Sequence, residues 1–176
     1  LYNAGMRGGK TCVHEGGSRV PLFMRWPAAK WTPHLAKPIV AHLDLYPTLV
    51  ELCGLPPKDG LEGHSLAPQL KNASAPRRWP AITTHNVGNH AIRTERWRYI
   101  CYADSSEELY DLRADPNEWT NLASDPKYAG VIREHAAWLP KVNAPPVPGS
   151  AHRILILENG QWLWEGKPII AAEKEE

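Results

Sequence analysis

The sequence is short of phenylalanine and cysteine, carries no surplus of either charge, and has no long apolar run. Each shortage removes a class of protein. Three cysteines, Cys12, Cys53 and Cys101, at unrelated spacings form neither a disulfide framework nor a zinc pattern, and read as small core residues. Lys and Arg number 20 against 19 Asp and Glu, without long blocks of one sign, which argues against a nucleic-acid or polybasic membrane surface. No apolar stretch approaches the ~18–20 residues that a spanning helix needs. One phenylalanine stands against eight tryptophans, so indole rings are the large aromatics available to anchor a core or line a sugar-binding face. Core packing is the default for them. What remains, 43% apolar and 22% charged, is ordinary for a folded domain.

The most informative stretch is Arg7-Gly8-Gly9-Lys10-Thr11-Cys12-Val13-His14-Glu15-Gly16-Gly17-Ser18-Arg19-Val20-Pro21. Glycines on both sides of Lys10 allow positive φ and close backbone approach, so this is a shaped loop. It is not a phosphate cradle of the G-x-x-x-x-G-K-[ST] kind. A lysine here is placed to meet a charged oxygen group, and the plainer alternative is a solvated lysine in a turn. The run Val20-Pro21-Leu22-Phe23-Met24-Arg25-Trp26 is expected to be a buried strand.

Three regions follow from composition. Residues 1–78 carry that strand, long Pro/Gly loops and a helix with Asp44 as cap, Pro47 in its first turn and Gly54 at its end. Leu45, Leu49 and Leu52 recur on one side of this helix and call for an apolar partner. Residues 79–140 read as four short antiparallel strands, at 80–85, 90–94, 97–103 and 108–112. A helix capped by Asp125 with Pro126 at its first position follows them, and Tyr128, Val131, Ile132, His135, Trp138 and Leu139 form its packing stripe. This is a two-layer α+β module. Residues 141–176 hold a stiff Ala144-Pro145-Pro146-Val147-Pro148-Gly149 linker, a hairpin turning at Asn159-Gly160, and a tail ending Lys174-Glu175-Glu176. Asn72-Ala73-Ser74 fits a glycosylation triplet, a pattern common by chance.

Several segments, in order, are similar to the sulfatase family. R-G-G-K-T-x-x-x-E-G-G-x-R-V-P at residues 7–21 resembles the loop after that family's metal site. Asp44 to Pro56 resembles its D-x-x-P-T-L-x-x-x-x-G-x-P helix, and residues 59–70 its D-G-x-S-L-x-P-x-L segment. Ala91-Ile92-Arg93-Thr94, Trp97-Arg98-Tyr99-Ile100 and E-L-Y-D-L-x-x-D-P-x-E-x-x-N-L at residues 108–122 resemble its C-terminal hairpin and tail, nearest the iduronate-2-sulfatase-like branch. The resemblance implies an α/β fold of alkaline-phosphatase type, of which this would be the C-terminal part: a small four-stranded antiparallel sheet packed by a C-terminal helix.

The same resemblance implies chemistry. Family members hydrolyse sulfate esters with a formylglycine made from a Cys/Ser-x-Pro-x-Arg motif, and with calcium. Neither Cys12, Cys53 nor Cys101 begins such a motif. The nucleophile and the calcium ligands are therefore expected upstream, with the rest of the catalytic domain as partner, and this chain alone is expected to be inactive. Lys10 matches the family lysine that reaches a sulfate oxygen. His85 and His90, flanking Asn86-Val87-Gly88-Asn89, are candidates to bind a sugar hydroxyl or uronate, although a loop histidine is more often simply exposed. Glu15 and Arg19 read as structural and His14 as packing. No metal site is expected among these residues. The expected partner is a sulfated carbohydrate or similar small molecule, in a periplasmic, secreted or lysosomal setting. Two alternatives stay open: a phosphodiesterase or phosphonate hydrolase of the same superfamily, and a non-catalytic carbohydrate- or partner-binding module.

Overall fold

The computed structural model describes residues 3–144, 155–164 and 167–169. The chain forms two compact units, residues 1–142 and 143–176.

In the first unit the Gly-rich loop leads into a single helical turn, α1 (Glu15–Ser18). Residues 20–26, expected to be a strand, are extended but unpaired, with Val20 57% and Phe23 90% exposed. An apolar run becomes a strand only where another strand offers its backbone, and none does so among the described residues. Next comes α2 (Leu45–Leu52), which ends as its sequence dictates. Gly54 has φ +65°, its N–H donates to Glu51 O and that of Leu55 to Val50 O, the paired bonds of a Schellman end.

Asp44 does not cap α2 as expected. Its fully buried carboxylate accepts from the N–H of Ala41 (2.7 Å) and of His64 (2.9 Å), and pairs with Arg77 (2.7 Å). The buried side of α2 is also polar. Thr48 Oγ1 donates to Asp44 O and accepts from the Leu66 N–H, just before α3 (Ala67–Lys71). Of the expected apolar stripe, Leu45 and Leu52 are half-buried and Leu49 is left 43% exposed. Gly63 passes so near Leu43 that a Cβ would meet its carbonyl oxygen at 1.9 Å, which restricts this crossing to glycine.

The sheet comprises β1 (Ala81–Thr84), β2 (His90–Arg93), β3 (Trp97–Cys101) and β4 (Glu107–Asp111), antiparallel in that order. Opposed pairs include Ile82 with Ile92, Ile92 with Tyr99, and Tyr99 with Leu109. Side chains alternate across a strand, so these four share one face. Ile92, Tyr99 and Leu109 are at most 1% exposed, and Val131, Ile132, Ala136 and Leu139 pack over them. Those residues lie on α4 (Ala129–Ala136) and just after it. Asp125 accepts from the Lys127 N–H in the 3-10 turn that starts this helix. Burial of each such side chain contributes about 1.5–3 kcal/mol. His135 is 3% exposed, with Nδ1 2.8 Å from Val131 O and Nε2 3.1 Å from Thr94 Oγ1. A carbonyl only accepts, so Nδ1 carries a proton.

The second unit is a small sheet of β5 (Leu155–Glu158), β6 (Gln161–Trp164) and β7 (Lys167–Pro168). Asn159 (φ +49°) and Gly160 (φ +79°) form the expected two-residue turn between Glu158 and Gln161. Most of the expected linker and the expected tail lie outside the described residues.

Candidate functional site

The other face of the four-stranded sheet presents Ala91, Arg93, Arg98, Ile100, Glu108 and Tyr110, and the Gly-rich loop lies on it. Val13 packs with Ala91, Ile100 and Tyr110, none of which is more than 4% exposed. Around this small apolar patch the contacts are ionic. Arg98, 2% exposed, donates to Val13 O at 2.8 Å, pairs closely with Glu15, and sets its Nε 2.5 Å from Glu118 Oε1. Glu118 Oε2 accepts from the Glu15 N–H at 2.8 Å, and Arg93 Nε reaches Glu15 Oε2 at 3.4 Å. Burial opposes ionisation of Glu15, but Arg98 and Arg93 outweigh it and hold its pKa below the ordinary value. Arg19, read as structural, adds only a 3.8 Å contact from a 69% exposed side chain.

A second cluster involves Glu108. Arg7 Nη2 donates to its Oε1 at 3.2 Å, His14 Nε2 lies 2.8 Å from its Oε2, and the Tyr110 hydroxyl donates to Oε2 at 2.8 Å. Burial raises the cost of its charge, yet hydrogen bonds from His14 and Tyr110 and the charge of Arg7 bring its pKa down to about 2. Burial and then the neighbouring Glu108 carboxylate push the Tyr102 phenol up to about 12. His14, expected only to pack, is also part of this ionic set.

Lys10 stands at the loop tip, exposed, and its Nζ has no hydrogen bond or ion pair among the described residues. The tip is a turn closed by the Cys12 N–H donating to Gly9 O at 3.1 Å. Thr11 occupies the third position with φ +72°, a conformation that β-branched residues avoid. Gly16 and Gly17 let α1 close on the loop. A Cβ at Gly16 would lie 2.6 Å from Arg7 O, and one at Gly17 would lie 2.4 Å from Cys12 O.

His85 and His90 lie at the two ends of the β1–β2 turn, where Thr84 opposes His90. His85 is half-buried, its backbone N–H donates to Asn89 O, and its Nε2 is 3.1 Å from Asn86 Nδ2. His90 is 5% exposed, with Nδ1 2.9 Å from Thr84 Oγ1. An open cleft of about 360 Å³ beside this turn is lined by Asn89, Tyr102, Ala103, Asp104 and Ser106. Neither histidine forms a hydrogen bond or ion pair with Lys10. Among the described residues no group of three or more His, Cys, Asp or Glu is arranged to hold a metal. The described residues thus offer no ligand set of their own for the calcium whose ligands the resemblance places outside this segment.

Residues 8–144 match the family model described as N-sulphoglucosamine sulphohydrolase, C-terminal. The chain belongs to the sulfatase family. A Formosa agariphila protein named Sulfatase is 37% identical over 145 residues, 81% of this chain and 28% of the relative. Arylsulfatase K of Canis lupus familiaris is 31% identical over 162 residues, 82% of this chain and 29% of that protein. The chain thus spans under a third of the length of these curated relatives. Among solved structures, one from Bacteroides thetaiotaomicron, from work on metabolism of multiple glycosaminoglycans, aligns with TM-score 0.63 and 26% identity over 76% of this chain and 31% of that one. Ps i-CgsB in complex with k-i-k-neocarrahexaose aligns with TM-score 0.62 and 26% identity over 77% of this chain and 31% of that one. The fold is that of alkaline-phosphatase-like sulfatases, with a four-stranded antiparallel sheet and helices in a mixed α/β arrangement.

The ionic contacts of Arg7, Arg98, Glu108 and Glu118 were not foreseen. A charged residue at an inward position of a strand, as at Arg98 between Trp97 and Tyr99, was the available signal, since such a charge is rarely buried without a partner.

Proposed function

We propose that this chain is the C-terminal part of an enzyme that hydrolyses sulfate esters of a sulfated carbohydrate. In this reading the formylglycine nucleophile and the divalent cation come from sequence outside the chain, and the chain alone is inactive. The observation that carries the proposal is the held loop that exposes Lys10 at its tip, where it has no ion pair among the described residues. A sulfate monoester spreads negative charge over its oxygens, and hydrolysis adds charge on the leaving alkoxide. An ammonium presented by a loop held in place is positioned to stabilise that charge. Carbohydrate as substrate class is supported by the neocarrahexaose bound to Ps i-CgsB. His85 is then the better-placed contact for a sugar hydroxyl or uronate. His90, buried against Thr84, meets the sugar only if the turn opens.

The test is Lys10→Ala in the enzyme that contains this segment, assayed on a sulfated oligosaccharide. Removing one preorganised charge should lower kcat by about 10²–10³-fold. Because Lys10 is exposed and unpaired, the melting temperature should stay within a few degrees. Turnover near that of the unmodified enzyme would return Lys10 to a solvated turn. Sulfate release by residues 1–176 alone would overturn the claim that the nucleophile lies elsewhere.

A further inference from the structure

Lys10 follows Arg7 by three residues and precedes His14 by four, and both of these end on one carboxylate. Glu108 Oε1 takes the Arg7 guanidinium at 3.2 Å, and Oε2 faces His14 Nε2 at 2.8 Å. Arg7 and His14 belong to opposite limbs of the loop, so Glu108 grips the limb that enters the tip and the limb that leaves it. The loop's internal bonds, Gly16 N–H to Arg7 O at 3.0 Å and Cys12 N–H to Gly9 O at 3.1 Å, fix its shape. They do not fix where that shape sits on the sheet. Arg98 and Glu118 hold Val13 and Glu15, which belong to the leaving limb, and on the entering limb the Arg7 N–H donates to Asn117 O at 3.1 Å and its Nη1 to the Tyr110 hydroxyl. Glu108 is the side chain whose two oxygens engage both limbs. Its side chain is 16% exposed, and both oxygens are already occupied, which leaves it unsuited to touch substrate.

We propose that Glu108 is a positioning residue for catalysis: it sets where Lys10 presents its ammonium, and it acts on turnover through Lys10. The proposal rests on the role of Lys10 argued above. Glutamine at this position keeps the volume but has a single oxygen and no charge, so it cannot accept from both limbs at once.

The experiment is a double-mutant cycle in the enzyme that contains this segment, with kcat and KM measured on 4-nitrophenyl sulfate for Glu108→Gln, Lys10→Ala and the pair. Displacing a reacting group by about an ångström costs up to ~10²-fold, so Glu108→Gln should lower kcat about 10- to 100-fold with KM changed less than about 3-fold. The pair should be no slower than Lys10→Ala alone, because contacting groups that act as one unit are not additive. An impaired Lys10→Ala with a normal Glu108→Gln, or with additive losses, overturns the positioning role and leaves the Lys10 reading intact. A normal Lys10→Ala overturns both. Should Glu108→Gln show no cooperative melt, Arg7→Gln and His14→Gln each release one limb. Each should lower kcat only while Lys10 is present, and normal turnover in both would sink the proposal.

Discussion

The two faces of the four-stranded sheet are covered by opposite means. On one, α4 lays Val131, Ile132 and Ala136 over Ile92, Tyr99 and Leu109, and the contact is almost wholly apolar. On the other, the Gly-rich loop is held by Arg98, Glu118, Glu15, Arg7 and Glu108 around a small patch with Val13 at its centre. Apolar contact is non-directional and fixes a helix only loosely, whereas each charge-assisted hydrogen bond prescribes a distance and an angle. The ionic face also carries backbone strain. Thr11 (φ +72°) and the fully buried Glu118 (φ +63°) are both left-handed, and no residue of α4 is. A helix needs only to cover its face. A loop that presents one lysine must be held in place.

The largest effect should come from cutting the ionic face. Arg98 and Glu118 have side chains 2% and 0% exposed, so removing Glu118 strips buried Arg98 of one of its two carboxylates and the Glu15 N–H of its acceptor. Glu118→Ala is expected to lose about 3–5 kcal/mol of unfolding free energy. Leu109→Ala on the helix face should lose about 2–5 kcal/mol, from transfer and cavity terms. The comparison sharpens in the double variant Arg98→Met/Glu118→Leu, which removes both charges of the pair, leaves Glu15 to Arg93 at 3.4 Å and Arg19 at 3.8 Å, and should recover part of the first loss. Chemical denaturation of the four proteins tests this. A double variant as unstable as Glu118→Ala would mean that the pair is worth more than its lost charges, and the ionic face would then be a principal source of stability.

Acid should separate the faces next. The folded pKa of Glu108, about 2, lies below its ordinary value of 4.5. A depressed carboxylate contributes stability that is present above the ordinary value and lost as pH falls toward the folded one. Between about pH 4.5 and 2 the protein should therefore lose on the order of 2–3 kcal/mol through this group, at about 1.4 kcal/mol per unit. Glu108→Gln should flatten that part of the stability curve. Leu109→Ala should lower the whole curve without changing its slope. Parallel curves for the unmodified protein and Glu108→Gln would remove Glu108 from the acid response.

The two faces also differed in how far the sequence disclosed them. β-Branched and aromatic enrichment with short polar turns located the strands to within a residue or two, and Asp125-Pro126 marked the start of the helical segment. Both signals act between near neighbours. The ionic face joins Arg7 to Glu108, 101 positions apart, and the Glu15 N–H to Glu118, 103 apart. No local spacing predicts such pairs. Residues 20–26 failed for a related reason, since a strand is a property of two segments and the pattern of one supplies half of it. Lys10 was picked out by resemblance, whereas the residues that hold its loop became visible only once the sheet placed them opposite it.

The smallest expected effect concerns the strain at Thr11. Left-handed backbone costs an ordinary residue roughly 1–2 kcal/mol, and glycine avoids that cost. Glycine also gives the unfolded chain more freedom, which offsets roughly 0.5–1 kcal/mol. The hydrogen bond from Thr11 Oγ1 to Lys10 O, at 2.5 Å on an exposed tip, would be lost as well. Thr11→Gly should therefore leave stability unchanged or raise it by no more than about 1 kcal/mol. Asn86 (φ +60°) already has a side chain suited to left-handed backbone, so Asn86→Gly should gain less. A loss of more than about 1 kcal/mol on Thr11→Gly, read from the denaturation midpoint, would show that threonine relieves its own strain through that bond. The loop tip would then be set by Thr11 as well as by the ionic contacts beneath it.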